Sequence, residues 1–262
     1  MGQNENIAYL LNSTPKYYYI LELHIVLLQR YGCTWPIFLA TEKPEDPMCI
    51  LLRDKYNVNI LTLEEENASF LKSRKRALEL LPEKYVYVLP MQEDFLLERT
   101  IDENAIKEAG LMLYLDSPCV RLMPCPGPNN SNPDCGVSWK MITHDTYKFT
   151  FQATLWNKLD CLLWYSTLVE EVEKQTFESD FERNIFEVRN NIAENAIGQA
   201  LFAKLFEKRT LIGYTRKYKA ANAVYMCPWP YRPTAIIKGV LQPFARELAE
   251  REGLKIISNS YI

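Results

Sequence analysis

The first 95 residues alternate strand-like and helix-like runs, and that alternation leaves few architectures open to the chain. Ile7–Leu11 is a short apolar run closed by the turn-forming Asn12-Ser13-Thr14-Pro15. From Lys16 to Tyr31 apolar residues recur at spacings of three and four (Tyr19, Ile20, Leu23, Val26, Leu27), the helical period, and Gly32 supplies a stop. Pro36–Ala40 reads as a second strand, followed by a polar loop carrying Pro44 and Pro47. Asn57–Leu63 alternates as a third strand, and Phe70–Leu81 is a helix ending at Pro82. Tyr85–Leu89 is aromatic, β-branched and aliphatic, which suits a buried strand. Pro90 closes it, because proline has no ladder donor. Strands that alternate with helices imply a mainly parallel sheet with right-handed crossovers, and four such strands make about one nucleotide-binding half.

Just beyond the fourth strand come Gln92, Glu93 and Asp94. Ligands of open α/β sheets bind at the carboxyl ends of the strands. Two adjacent carboxylates there suit a divalent cation held against a diphosphate, since hard cations take oxygen ligands. The same residues also suit a solvated acidic turn.

Downstream, Ile101–Leu115 reads as a helix with Asp102 and Glu103 placed to favour its dipole. Val120–Met123 reads as a strand, and Pro124–Pro133 as a loop. Ile142–Thr150 is strand-like, Leu155–Val172 helical, and Phe181–Phe206 largely helical with a break near Asn190-Asn191. Tyr225–Pro233 is punctuated by proline and aromatics, and Ile236–Glu252 has the pattern of an amphipathic helix ending at Gly253.

Composition removes several alternatives. A net charge of −3 argues against a dedicated nucleic-acid binder, and only the Lys72–Arg76 run, more in keeping with a solvated helix face, points the other way. Seven cysteines, no C-x-x-C and two histidines give poor support to structural zinc. No basic segment followed by an apolar one opens the chain, and no apolar run reaches the ~18 residues of a membrane span. A cytoplasmic location with reduced thiols is therefore expected. The glycine-rich phosphate loops G-x-x-x-x-G-K-[ST] and G-x-G-x-x-G and the nucleophile elbow G-x-S-x-G are all absent, so a metal-and-carboxylate grip is the natural way to hold a phosphate here.

Taken in order, Ser13-Thr14, the βαβ units, Gln92-Glu93-Asp94, F-Q-A-T-L-W (Phe151–Trp156), F-E-S-D-F-E (Phe177–Glu182) and Y-R-P-T-A-I-I-K-G-V (Tyr231–Val240) resemble GT-A-type glycosyltransferases, in particular a group seen in bacterial and large-DNA-virus polysaccharide clusters. The resemblance spans most of the chain on short, loose motifs. It implies a single α/β domain with a mixed, mainly parallel sheet flanked by helices. Residues 1–98 would form the nucleotide-sugar half, and residues 99–262 the acceptor half with the C-terminal helices.

The resemblance further implies a hexosyl- or pentosyltransferase that moves sugar from a nucleotide-sugar donor to a saccharide acceptor in glycan or polysaccharide synthesis. Mn2+ or Mg2+ would sit on Asp94, with Glu93 second, although the family's D-x-D reads Gln92-Glu93-Asp94 here. Ser13, Thr14, Arg74 and Gln92 would join them at the donor. Gln152 and Trp156, four apart and so on one face if a helix starts by Gln152, would lie near the acceptor. Glu182 or Asp180 would be the base, although Asp180 equally suits a helix N-cap. Thr14 before Pro15 equally suits a cap, and Trp156 equally suits the core. Arg232, Lys238 and His144 are weaker candidates for the diphosphate or metal. A catalytically silent nucleotide- or sugar-binding domain on the same fold is the alternative reading.

Overall fold

The computed structural model describes residues 6–64, 69–123, 131–143, 147–189, 192–215 and 227–256. Four parallel strands form one half of the central sheet: β1 (Ile7–Asn12), β2 (Ile37–Thr41), β3 (Asn59–Thr62) and β4 (Tyr87–Gln92). The other half holds β6 (Cys119–Arg121), β7 (Trp139–Met141), β8 (Thr154–Asn157) and β9 (Ile212–Tyr214). The order is β3-β2-β1-β4-β8-β6-β9-β7. β8 runs antiparallel to β4 and β6, β9 runs parallel to β6, and β7 is antiparallel to β9. This is the mixed, mainly parallel, helix-flanked α/β architecture that the sequence implies.

The alternation of side chains along β1 divides the core. Tyr9 and Leu11 face a cluster that includes α1 (Leu21–Arg30), α2 (Pro47–Tyr56) and α4 (Glu103–Leu115). Ala8 and Leu10 face a second cluster with α3 (Phe70–Leu80), α5 (Lys158–Glu173) and α7 (Ala196–Leu205). The connection from β1 therefore crosses one face to β2, while that from β3 to β4 crosses the other. Strand order reverses between β1 and β4, and the crevice at their carboxyl ends is the topological switch point.

Several sequence expectations are corrected. Pro90 does not end its strand, because β4 continues to Gln92. The carbonyl of Val86 accepts from Lys158 on the β8 side, so Val86, Val88 and Pro90 all turn their backbone groups that way. β8 stops pairing at Val88, and the missing N–H of Pro90 falls where no partner strand remains. The loop after β2 contains α2, announced by the Asp46 N-cap that accepts from Met48 N–H, by Pro47 at the first helical position and by Asn57 in the left-handed region at φ 56°. The first helix opens as a 3-10 turn, Pro15–Ile20.

Leu155 and Trp156 belong to β8, and the helix begins only at Lys158, capped by Asn157. Among the described residues, Ile142–Thr150 contributes no strand; the strand here is Trp139–Met141 instead. The stretch from Phe181 divides into α6 (Asp180–Asn184), a π turn (Ile185–Arg189) and α7. Asn190-Asn191 lie outside the described residues, as does 124–130 of the Pro124–Pro133 loop. The last helix, α8, spans only Pro243–Arg251; Ile236–Leu241 is a hairpin of β11 (Ile236–Ile237) and β12 (Val240–Leu241). Lys238 and Gly239 at its tip have φ of 49° and 78°, the positive values a two-residue hairpin turn requires.

Candidate functional site

The carboxyl ends of β1 and β4 lie side by side, with Asn12 opposite Gln92 in the register. Ser13 is buried and Thr14 is exposed just past β1, and Thr14 Oγ makes no capping bond to the turn that follows. Glu93 and Asp94 form the turn beyond β4, which closes through Phe95 N–H to Gln92 O at 3.2 Å. The structure thus brings Ser13, Thr14, Gln92, Glu93 and Asp94 to one edge.

Arg74 joins them from α3. Asn12 Nδ2 donates to the carbonyl of Ser73 at 3.4 Å, which ties the neighbouring turn of that helix to the end of β1. Arg74 is buried, and its guanidinium lies 4.3 Å from the Phe70 ring centroid and 5.9 Å from that of Phe151. Its Nε and the Oδ1 of Asn12 are buried and, among the described residues, unpartnered. Buried polar atoms are nearly always satisfied, by protein, water or ligand, so an orphan donor and an orphan acceptor beside one crevice are candidate contacts for a ligand or an ordered water.

The electrostatics point the same way. Burial pushes the Glu93 carboxyl up from 4.5 to about 7; Asp94 adds to the rise, while its own backbone N–H and Arg74 oppose it. Burial likewise lifts Asp94 from 3.8 to about 6, against the backbone N–H of Ile236. Two desolvated acids raised into the neutral range are common at functional sites, and a cation would relieve both. No group of three or more His, Cys, Asp or Glu able to hold a metal occurs among the described residues. Two carboxylates nonetheless fit a magnesium-type ion that takes its other ligands from water and phosphate oxygens.

The C-terminal motif closes over this turn. β10 (Tyr231–Arg232) pairs with β5 (Leu96–Leu97), and Ala235 N–H donates to Asp94 O at 2.9 Å. Tyr231 stacks on Phe95 at 5.1 Å and donates its hydroxyl to Gln152 Oε1. Gln152 therefore reaches the site through Tyr231, and Phe151 reaches it through Arg74. Trp156 does not join them. It is 2% exposed and packs against Phe149, Phe202 and Phe206, so it presents no face to an acceptor. The helix expected to pair it with Gln152 does not form: Trp156 lies in β8, and Gln152 precedes that strand. Arg232 is paired with Glu98 at 2.8 Å and lies over Phe244, while Lys238 sits exposed at the hairpin tip. His144 lies outside the described residues.

Asp180 and Glu182 lie at the exposed start of α6. Ser179 accepts from Glu182 N–H at 3.2 Å, and Glu182 Oε2 accepts from Glu178 N–H at 2.9 Å, close to a capping box. The N-cap is thus Ser179, and Asp180 is the first helical residue. The acid this segment buries is Glu187, which the sequence did not single out. It accepts from Leu71 N–H at 3.3 Å at the start of α3 and so joins the acidic segment to the helix that carries Arg74. Asn12, read from the sequence as the start of the turn after the first strand, is instead the last residue of β1. His24, also missed, falls on the apolar face of the first helix among Ile20, Leu23 and Leu27, which is the pattern of a buried histidine.

No family model matches the chain, and no curated protein sequence matches it. Among solved structures, it is similar to a 4-diphosphocytidyl-2C-methyl-D-erythritol synthase from Anaerococcus prevotii, at 11% identity and TM-score 0.47, over 82% of this chain and 90% of that one. It is also similar to the glycosyltransferase GlyE of Streptococcus pneumoniae, at 13% identity and TM-score 0.46, over 95% of this chain and 61% of that one. Similarity to S. aureus TarS is at 12% identity and TM-score 0.45, over 81% of this chain and 35% of that one. The fold assignment rests on the strand order and register, independently of these likenesses.

Proposed function

We propose that the chain is a glycosyltransferase that moves a sugar from a nucleotide-sugar to a saccharide acceptor. The observation that carries this reading is the meeting of Asn12, Arg74, Glu93 and Asp94 at the switch point, with two orphan polar atoms and two desolvated acids. In this reading the nucleotide lies against Ser13, Thr14, Asn12 and Arg74. Asp94, with Glu93, would hold Mn2+ or Mg2+, which would supply positive charge against the departing diphosphate. The acceptor hydroxyl attacks the anomeric carbon, the bond to the diphosphate oxygen breaks, and a carboxylate takes the hydroxyl proton. Asp180 or Glu182 is proposed for that proton; Glu182 would first have to release Glu178 N–H. Gln152, fixed by Tyr231, is proposed to border the acceptor. A role in glycan or polysaccharide synthesis follows from the acceptor class.

Two observations favour a second reading, a silent nucleotide- or sugar-binding domain: the position of the first D-x-D acid holds Gln92, and Glu182 is engaged in its own helix cap. Incubation with a panel of nucleotide-sugars and saccharide acceptors, read by mass spectrometry, separates the two. Release of nucleoside diphosphate together with a glycosylated acceptor supports the enzyme. Donor binding without either product supports the silent domain.

A further inference from the structure

We propose that His24 is a positioning residue for the acidic turn: with Tyr9 it forms a buried relay that fixes the backbone of Glu93 and so aims the Glu93 and Asp94 side chains. This rests on the reading of those acids as a cation and diphosphate site. His24 lies on α1 and is 1% exposed. Its Nδ1 is 2.9 Å from the carbonyl oxygen of Glu93, and its Nε2 is 2.6 Å from Tyr9 Oη. A carbonyl only accepts, so the imidazole proton sits on Nδ1. Nε2 is then an acceptor, and the Tyr9 hydroxyl donates to it. Chemistry thus fixes the direction of both bonds: Tyr9 O–H to Nε2, and Nδ1–H to the Glu93 carbonyl.

The surroundings keep the relay in that state. Tyr9 is fully buried and stacks on Trp229 at 5.7 Å, and Trp229 stacks on Trp35 at 5.3 Å. Burial in this apolar surrounding disfavours the charged form of the ring. A tyrosine hydroxyl and an imidazole buried in an apolar face are costly groups that phenylalanine and leucine could replace in volume alone. Among the described contacts, the polar product of this pair is a single bond, to the Glu93 carbonyl. On its other side the turn is gripped by Ala235 N–H at Asp94 O. The acidic turn is therefore clamped between α1 and the C-terminal segment, which is how partners behind a metal ligand orient it.

The test compares wild type with His24→Leu, which removes the donor, and His24→Asn, whose amide nitrogen occupies the place of Nδ1. Hydrogen exchange of the Gln92–Phe95 turn is measured without ligand, and Mn2+-dependent binding of nucleoside diphosphates by calorimetry. His24→Leu should speed exchange at the Phe95 amide while β1 stays protected. It should weaken binding by roughly 10–100-fold. His24→Asn should recover most of both. Unchanged exchange and affinity in His24→Leu, or equal losses in His24→Asn, overturn the proposal. If wild type binds no diphosphate, the functional reading fails and the exchange comparison alone decides the relay. If His24→Leu does not fold, the imidazole tautomer of wild type, read by 15N NMR, decides: a proton on Nδ1 supports the relay, and one on Nε2 overturns it.

Discussion

Replacing Glu93 with glutamine should stabilise the protein at pH 8, although it damages the proposed site. The Glu93 carboxyl titrates at about 7 in the folded chain against 4.5 as its ordinary value, chiefly through burial. A raised acid pKa means the folded state holds its proton longer than the unfolded state. The group's contribution to stability is thus complete below about pH 4.5 and is lost as pH rises through about 7. The full rise corresponds to about 3 kcal/mol at pH 8, reduced to about 1–3 kcal/mol because the Glu93 residue keeps some solvent contact despite its buried carboxyl. Glutamine keeps the shape and never ionises, so it escapes that loss. For a chain of this size the gain amounts to a rise of about 3–10 °C in Tm. Thermal melts of both proteins between pH 5 and pH 8 are the assay. The gap should be widest at pH 8 and narrow toward pH 5. Mn2+ with a nucleoside diphosphate should raise the Tm of wild type more than that of the variant. A glutamine variant that is no more stable at pH 8, or a gap that does not change with pH, refutes the desolvation argument.

Other substitutions separate site from scaffold. Trp156→Ala should lower stability by about 3–5 kcal/mol, seen as a shifted denaturant midpoint, because it empties a fully packed position; an unchanged midpoint would contradict its burial. Arg74→Met, similar in length and apolar, keeps the packing volume but loses the stack on Phe70 and the hydrogen bond to Tyr165, so it should lower stability by about 1–2 kcal/mol. It should also weaken nucleotide binding by about tenfold or more, measured by calorimetry. Glu182→Gln keeps an oxygen for the cap at Glu178 and should leave the melt unchanged; turnover falling by about 10²–10⁴-fold would mark Glu182 as the base, whereas an unchanged rate assigns the carboxylate to capping alone.

The parallel half of the sheet, β1 to β4, was legible because its signals are local, whereas β7, β8 and β9 were not read as strands. The first three strands and α3 follow from periodicity within short windows, and Gln92-Glu93-Asp94 follows from its place after a buried strand. The errors arose where tertiary context overrides a window. Trp156 sits in a run with helical composition, yet β4 and β6 recruit it as a strand between them. Pro90 looks like a terminator until β8 is seen to stop short of it. The Ile236–Leu241 hairpin shares apolar spacing with a helix, and only the positive φ values at Lys238 and Gly239 reveal the turn. The missed α2 was readable from Asp46-Pro47 and Asn57. The relay from Tyr9 through His24 to Glu93 spans three elements, and no local pattern encodes such a contact. The closure of the C-terminal segment over Asp94 was hidden for the same reason.

The central claim is that the β1 and β4 carboxyl edge holds a diphosphate through a cation on Asp94. Calorimetric titration of a panel of nucleoside diphosphates into wild type and Asp94→Ala, each with Mn2+ and with a chelator, tests it most directly. The account predicts that at least one nucleoside diphosphate binds wild type in Mn2+, that binding weakens sharply in chelator, and that Asp94→Ala binds no better in Mn2+ than wild type does in chelator while melting as a folded protein. Mn2+-dependent binding of equal strength in Asp94→Ala, or no binding to wild type by any member of the panel, would contradict it.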